Sequence, residues 1–145
     1  MSRLASGQII QDTYSKLHFH VVFSTKNRRP SIQHQWRGRL HDYIGGVIRG
    51  LGGQSLTVGG VRDHVHILMG LRPSHRLCDV MREVKHESSR WVREELQKDF
   101  EWQKGYGVFT VSPLACEKVR AYIIGQEIHH HLVPRPLASL RDATK

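Results

Sequence analysis

The sequence predicts an α+β domain built on an antiparallel sheet, and three observations support this. Short segments rich in β-branched and aromatic residues alternate apolar with polar positions, as half-buried strands do. Two longer segments repeat apolar residues every three or four positions, as amphipathic helices do. These segments follow one another in the order β-α-β-β-α-β, and one further helix comes after them.

The first half of this order contains a strand, a basic turn and a helix. Alternation predicts a strand over 17–24, and the basic segment 25–30 ends it at a proline. Helical spacing of apolar residues predicts a helix over 32–51, and the glycine pair Gly52-Gly53 is expected to stop it.

The second half begins with a hairpin of two strands, 55–61 and 64–71, joined by a short turn. Ser74 is the expected N-cap of a long helix that ends near residue 96. A fourth strand is predicted over 104–111, and a last helix over 114–130.

This order is the ferredoxin-like pattern, in which two helices cover one face of the sheet. The first and third strands are then neighbours in its centre, and the other face is free for a ligand or an additional helix. We expect one domain over 14–131, with an N-terminal lead-in at 1–13 and a C-terminal tail at 132–145.

The charge and the amino-acid composition limit the classes of partner that the protein can be expected to bind. The chain has 145 residues, a net charge of +9 and 11 histidines, which favours a polyanionic partner such as nucleic acid. No apolar run approaches the roughly 18 residues of a membrane span, so we expect no membrane partner. Cys78 and Cys116 form no CxxC motif, and a reducing cytoplasm is the expected location.

Two pairs of histidines are candidates for holding a divalent cation. His64 and His66 lie two residues apart on a predicted strand and therefore point to the same face. His18 and His20 form a rival pair on the first strand. Spacing alone does not rank the pairs, and a solvated sheet face is the alternative for either one.

The last predicted helix carries Tyr122 and Gln126, four residues apart and so on one helical face. A tyrosine hydroxyl can act as a nucleophile when a cation polarises the electrophile, and an amide oxygen can ligate a hard cation. Simple packing of the tyrosine on the sheet is the competing interpretation.

Other segments favour nucleic-acid binding. The first four positions of 104–111 (Lys-Gly-Tyr-Gly) match an RNA-recognition strand, but Val108 replaces an aromatic base-stacking residue of that motif. Basic residues cluster after the first strand and along the long helix, and phosphate contacts are their natural use. The DNA-binding candidates among them are Lys26, Arg28, Arg29, Lys85 and Arg90.

Taken together in order, six segments resemble the single-tyrosine HUH transposases of the IS200/IS605 insertion sequences, including the REP-associated relatives. The resemblance spans about residues 14–131. The matching segments are 20–26 with 28–30, 63–68, Lys85, 88–91, 102–103 with 105–107, and 122–130. Asp63-His64-Val65-His66 and the stretch from Tyr122 to Gln126 carry the most chemistry.

The resemblance implies a role for each matching residue. His64, His66 and Gln126 would be the metal ligands for Mg²⁺ or Mn²⁺, and Tyr122 would be the nucleophile. His20 matches a histidine of the family and would lie close behind the ligands. The family is dimeric, and the tyrosine helix can complete the site of its own subunit or of the partner.

The resemblance also implies the reaction. Tyr122 would attack a phosphate of single-stranded DNA at the hairpin ends of an insertion sequence, forming a 5′-phosphotyrosine link that a 3′-hydroxyl later reverses. A non-catalytic nucleic-acid-binding module on the same sheet is the first alternative. A metal-dependent phosphodiesterase that uses water is the second.

Overall fold

Four antiparallel strands form the sheet that organises the chain. The computed structural model describes residues 15–126. The strands are β1 (Leu17–Ser24), β2 (Gln54–Gly60), β3 (His64–Leu71) and β4 (Gly107–Val111), in the spatial order β2-β3-β1-β4. The prediction that the first and third strands pair in the centre is therefore confirmed.

Two helices cover one face of this sheet and form the main core with it. They are α1 (His34–Gly50) and α2 (Leu77–Glu95). The helices contribute the apolar side chains that the three- and four-residue spacing predicted, and the strands contribute alternate residues. The fully buried members include Val21, Leu40, Ile44, Ile67, Met81 and Val84.

The opposite face carries the third helix, α3 (Cys116–Ile124), which packs against β2 and β3. Ile123 of α3 forms a second apolar cluster with Leu68 and Val111. Gly59 makes this close approach possible, because a Cβ atom there would lie 2.8 Å from Ile123 Cγ2 and 2.9 Å from the Ile123 carbonyl oxygen. The additional helix therefore occupies the face that the predicted topology left free.

The two glycines after α1 stop the helix as predicted. Gly52 has a φ of +89°, a left-handed conformation that glycine adopts without a steric penalty. The Gly53 N–H donates to the carbonyl oxygen of Ile48 at 3.0 Å. This bond satisfies a carbonyl group that a helix end otherwise leaves open.

The starts of both long helices lie later than predicted. Ile32 is not helical, because its backbone N–H donates to the Arg62 carbonyl oxygen at 2.9 Å in the β2–β3 connection. Ser74 is not the N-cap of α2, since Arg76 occupies that position. A turn forms before it instead, where the Arg72 N–H donates to His75 Nδ1 at 2.8 Å.

The fourth strand and the last helix are also shorter at their starts than predicted. β4 begins at Gly107 instead of residue 104. Gly105 has a φ of +85°, which is not a strand conformation. The carbonyl oxygens of Gln103 and Gly105 accept hydrogen bonds from the Lys85 ammonium instead of from a neighbouring strand. A 3₁₀ turn over Pro113–Ala115 precedes α3. β2 is shifted by one residue from the predicted 55–61.

Some expectations fall outside residues 15–126. These are the lead-in at 1–13, the tail at 132–145 and the continuation of the last helix to 130. Within the described part of the chain, no helix combines the length and apolar composition needed to cross a membrane.

Candidate active site on the sheet face

His64 and His66 of β3 lie side by side beneath α3. Alternation places both imidazoles on the face away from α1 and α2, and their ring centroids are 5.0 Å apart. Both residues are completely shielded from solvent. Burying two polar rings is costly unless their nitrogens have partners, so their neighbours define the site.

One nitrogen of each ring is bonded to a neighbouring side chain. The Nδ1 atom of His64 lies 2.9 Å from Asp63 Oδ1, and the Nδ1 atom of His66 lies 2.9 Å from His20 Nε2. Such contacts hold a ring's orientation and select its tautomer. They leave the Nε2 atom of each histidine on the opposite side of its ring.

Asp63 is a site residue to which the sequence interpretation gave no role, although it directly precedes His64 in the matching segment. Burial raises the pKa of its carboxyl, but the hydrogen bond and charge of His64, with the charges of Arg28 and Arg62, outweigh this. The pKa therefore lies below its ordinary value. Asp63 remains an ionised acceptor for the His64 N–H at neutral pH.

His20, and not His18, joins the site. In the β1–β3 register, His20 lies opposite Leu68 and beside His66, whereas His18 lies opposite Gly70 near the far end of the strands. Burial lowers the pKa of His20 to about 4, so its ring is neutral near pH 7. A neutral ring can accept the proton of His66 Nδ1, which leaves His66 Nε2 as a lone-pair donor.

Tyr122 and Gln126 reach the histidines from α3 and the residues just after it. The Tyr122 ring lies edge-on to His66 with centroids 5.6 Å apart, and 6.3 Å from His20. Gln126 Oε1 lies 3.2 Å from His64 Nε2, and only 1% of Gln126 is exposed. One chain thus brings its own tyrosine and glutamine to its own histidines, an alternative that the sequence left open.

The side chains around this point suit a divalent cation as a donor set. Two imidazole nitrogens and one amide oxygen are ordinary ligands, and the buried amide nitrogen of Gln126 has no hydrogen-bond partner among residues 15–126. Across the same residues, no group of three or more His, Cys, Asp or Glu is arranged to hold a metal.

The predicted DNA-binding cations lie in two places. Lys26, Arg28 and Arg29 follow β1 at the end of the sheet where Ser24 pairs with His64. Lys26 Nζ lies 3.3 Å from Glu101 Oε1, and Arg29 lies 4.0 Å from Asp99. These contacts are solvent-exposed and therefore weak enough to be exchanged for phosphates.

The two cations of α2 have other neighbours. The Lys85 ammonium donates to the carbonyl oxygens of Gln103 and Gly105 at 2.7 and 2.8 Å, and burial lowers its pKa to about 8. Arg90 pairs with Glu87 and Glu94. Both lie on the helix that covers the sheet face opposite the histidines.

Comparisons with known proteins agree with this architecture. The sequence profile of the family described as "Transposase IS200 like" matches residues 13–126. The ISDra2 transposase TnpA of Deinococcus radiodurans is 24% identical over 118 residues, covering 77% of this chain and 84% of that protein.

Two solved structures share the fold. One is the crystal structure of a protein of Deinococcus radiodurans R1 assigned as a transposase, with a TM-score of 0.68, 23% identity, and coverage of 83% of this chain and 98% of that one. The other is a REP-associated tyrosine transposase bound to a REP hairpin, with a TM-score of 0.64, 17% identity, and coverage of 88% and 77%. The family match spans most of the chain, and this protein therefore belongs to the IS200-like transposases.

Proposed function

We propose that this transposase cleaves and rejoins single-stranded DNA through Tyr122, at hairpin ends of an insertion sequence. The observation that carries the proposal is the meeting of Tyr122 and Gln126 with two histidines more than 50 residues earlier in the chain. A packing role alone does not require a tyrosine, a glutamine and three histidines to share one buried face.

His64 Nε2, His66 Nε2 and Gln126 Oε1 are the atoms that would hold Mg²⁺ or Mn²⁺. When bound, the cation supplies positive charge beside the scissile phosphate, which stabilises the charge that develops there. Asp63 and His20 hold the two imidazoles in the orientation that this requires.

Tyr122 Oη attacks phosphorus, the bond from phosphorus to the 3′ oxygen breaks, and the tyrosine proton passes to solvent. The 3′ oxygen takes up a proton from solvent and leaves as a hydroxyl, and the 5′ phosphate remains on Tyr122. The energy of the phosphodiester bond is kept in the phosphotyrosine link, so a 3′-hydroxyl of another strand can reverse the step without ATP.

The decisive experiment is incubation with single-stranded hairpin DNA from the element's ends and Mg²⁺ or Mn²⁺, followed by a denaturing gel. The wild-type protein should form a covalent protein–DNA adduct. Tyr122→Phe should form none while retaining most of its DNA affinity, because the variant lacks only the hydroxyl. Tyr43→Phe is the matched control, since Tyr43 stacks on Trp91 between α1 and α2, away from the site.

The results of this experiment distinguish the proposed transposase reaction from the two alternative functions. Cleavage that persists in Tyr122→Phe would mean a water-using phosphodiesterase, and binding without any adduct in the wild type would mean a non-catalytic binding module. His64→Ala should abolish metal-dependent cleavage, whereas His18→Ala should not, because His18 lies away from the pair.

The assembly and location follow from the same proposal. We propose a homodimer, as the resemblance to the family implies, and light scattering of the purified protein tests it. Action on DNA and the free thiols of Cys78 and Cys116 support a cytoplasmic location.

A further inference from the structure

Phe109 of β4 lies on the same sheet face as the histidines. It is directly opposite His20 in the β1–β4 register, and side chains of directly paired residues project to the same side. The two ring centroids are 5.9 Å apart and the rings are tilted by 44°. Phe109 therefore borders the candidate active site.

Packing against the core does not explain why position 109 carries an aromatic ring. Phe109 belongs to neither apolar cluster of residues 15–126, and 40% of it is exposed. A single exposed apolar side chain is ordinary, but this one touches a ring that also touches Tyr122. His20 lies between them, with its centroid 6.3 Å from that of Tyr122.

This position suits a nucleobase. The His20 ring contacts both Phe109 and Tyr122, so a nucleotide next to a phosphate bound at Tyr122 needs to extend past one ring to meet Phe109. Exposed aromatic rings bind bases of single strands by stacking, whatever the sequence, because every base has a π face. The basic residues that follow β1 lie just beyond the end of the sheet where Ser24 pairs with His64, and they supply positive charge for the DNA backbone.

We propose that Phe109 is a stacking platform for the base of a nucleotide next to the scissile phosphate. It would position the single strand for attack without selecting its sequence. The proposal rests on the proposed function for the identity of the strand, but it concerns binding and not bond cleavage.

The test measures binding in the Tyr122→Phe background, where no covalent capture occurs. The probe is a fluorescein-labelled DNA hairpin with an oligothymidine extension, in which one abasic site is moved through the extension. Phe109→Leu keeps an apolar side chain and removes the ring, and Phe109→Trp keeps a ring. Val108→Ala is the matched control, because Val108 is 38% exposed on the same strand but points to the other face.

Phe109→Leu should weaken binding of the intact probe roughly 10-fold, the size expected for loss of one stacked base. When the abasic site lies at one or two particular positions of the extension, the variant and the parent should bind the probe equally, since no base remains there to stack on Phe109. Phe109→Trp should retain the affinity, and Val108→Ala should not change it.

Three results would overturn the proposal. They are equal affinity of Phe109→Leu and its parent for the intact probe, an equal loss at every abasic position, and a loss accompanied by a changed oligomeric state or melting temperature. Absence of an adduct with the wild-type protein would overturn the proposed cleavage instead, and would leave the abasic-site comparison valid.

Discussion

The buried side chains of His64, His66 and Gln126 each have at least one polar neighbour at the candidate site. Asp63 accepts from His64, His20 contacts His66, and Gln126 meets the remaining nitrogen of His64. An unpaired buried polar group costs about 1–3 kcal/mol, so these contacts reduce the destabilisation of placing polar rings under α3.

Lys85 provides a residue-scale prediction on pH. Its pKa falls from 10.5 in the unfolded chain to about 8 in the folded protein because of burial. Between these values the unfolded chain holds more protons, so stability increases with pH. The free energy of unfolding of the wild type, measured relative to Lys85→Met, should therefore rise from about pH 8 toward 10.5.

Chemical denaturation of both proteins across this pH window checks the prediction. Arg93→Met is the control, because it removes a cation from the same helix whose guanidinium does not titrate there. A difference between wild type and Lys85→Met that stays constant with pH would contradict the lowered pKa.

At the scale of elements, the position of α3 decides whether a site exists. The helix lies on the sheet through Ile123, and Gly59 of β2 leaves the space for it. Tyr122 is the neighbour of Ile123 in the chain, so any movement of α3 away from β2 also moves the tyrosine from His66.

Gly59→Ala should separate α3 from the sheet. The new Cβ atom would lie 2.9 Å from the backbone oxygen of Ile123, and a backbone atom yields only if the whole helix shifts. We expect faster hydrogen exchange of the α3 amides and at least roughly 10-fold less adduct, since even a displacement of about 1 Å near a reacting group is costly.

Gly38→Ala is the matched control for this change. Gly38 lies in α1, and a Cβ atom added there would meet no neighbouring element within 4 Å. Alanine at this position should therefore stabilise the helix by roughly 0.5–1 kcal/mol. Unchanged exchange of α3 in Gly59→Ala would show that this contact does not set the helix position.

Across the whole molecule, one face of the sheet forms the core and the other carries the candidate active site. One face is sealed by α1 and α2 and supplies the main core. The other carries α3, the histidines and Phe109. With a net charge of +9, the molecule attracts polyanions over long distances, and screening by salt should weaken that attraction.

DNA affinity should therefore fall steeply with salt, with a log–log slope of about −0.7 per phosphate neutralised by the protein. Lys26→Gln should make the slope shallower by about 0.7, since Lys26 lies at the site end of β1. Arg82→Gln should leave it unchanged, because Arg82 lies on α2, which covers the sheet face opposite the histidines. Fluorescence anisotropy over a salt series measures both slopes, and a flat response would contradict an electrostatic origin of binding.

Local patterns were sufficient for most of the fold. Alternation and helical spacing predicted four strands and three helices in the observed order, because burial of one face imposes those periods. Element starts were predicted less well. Ile32 bonds to Arg62, the turn around Ser74 is closed between Arg72 and His75, and the segment before β4 bonds to Lys85. Such partners are not encoded in the periodicity of apolar residues.

The sequence by itself determined that each histidine pair lies on one face of its strand. It also predicted that Tyr122 and Gln126 share one helical face, although α3 ends at Ile124 and Gln126 follows it. Only the tertiary structure decided which of these groups meet. Strand register brings His20 and not His18 to His66, and the absent side chain of Gly59 lets α3 reach its own sheet. The reason is physical: periodicity sets the direction of a side chain, whereas its neighbours depend on how separate elements pack.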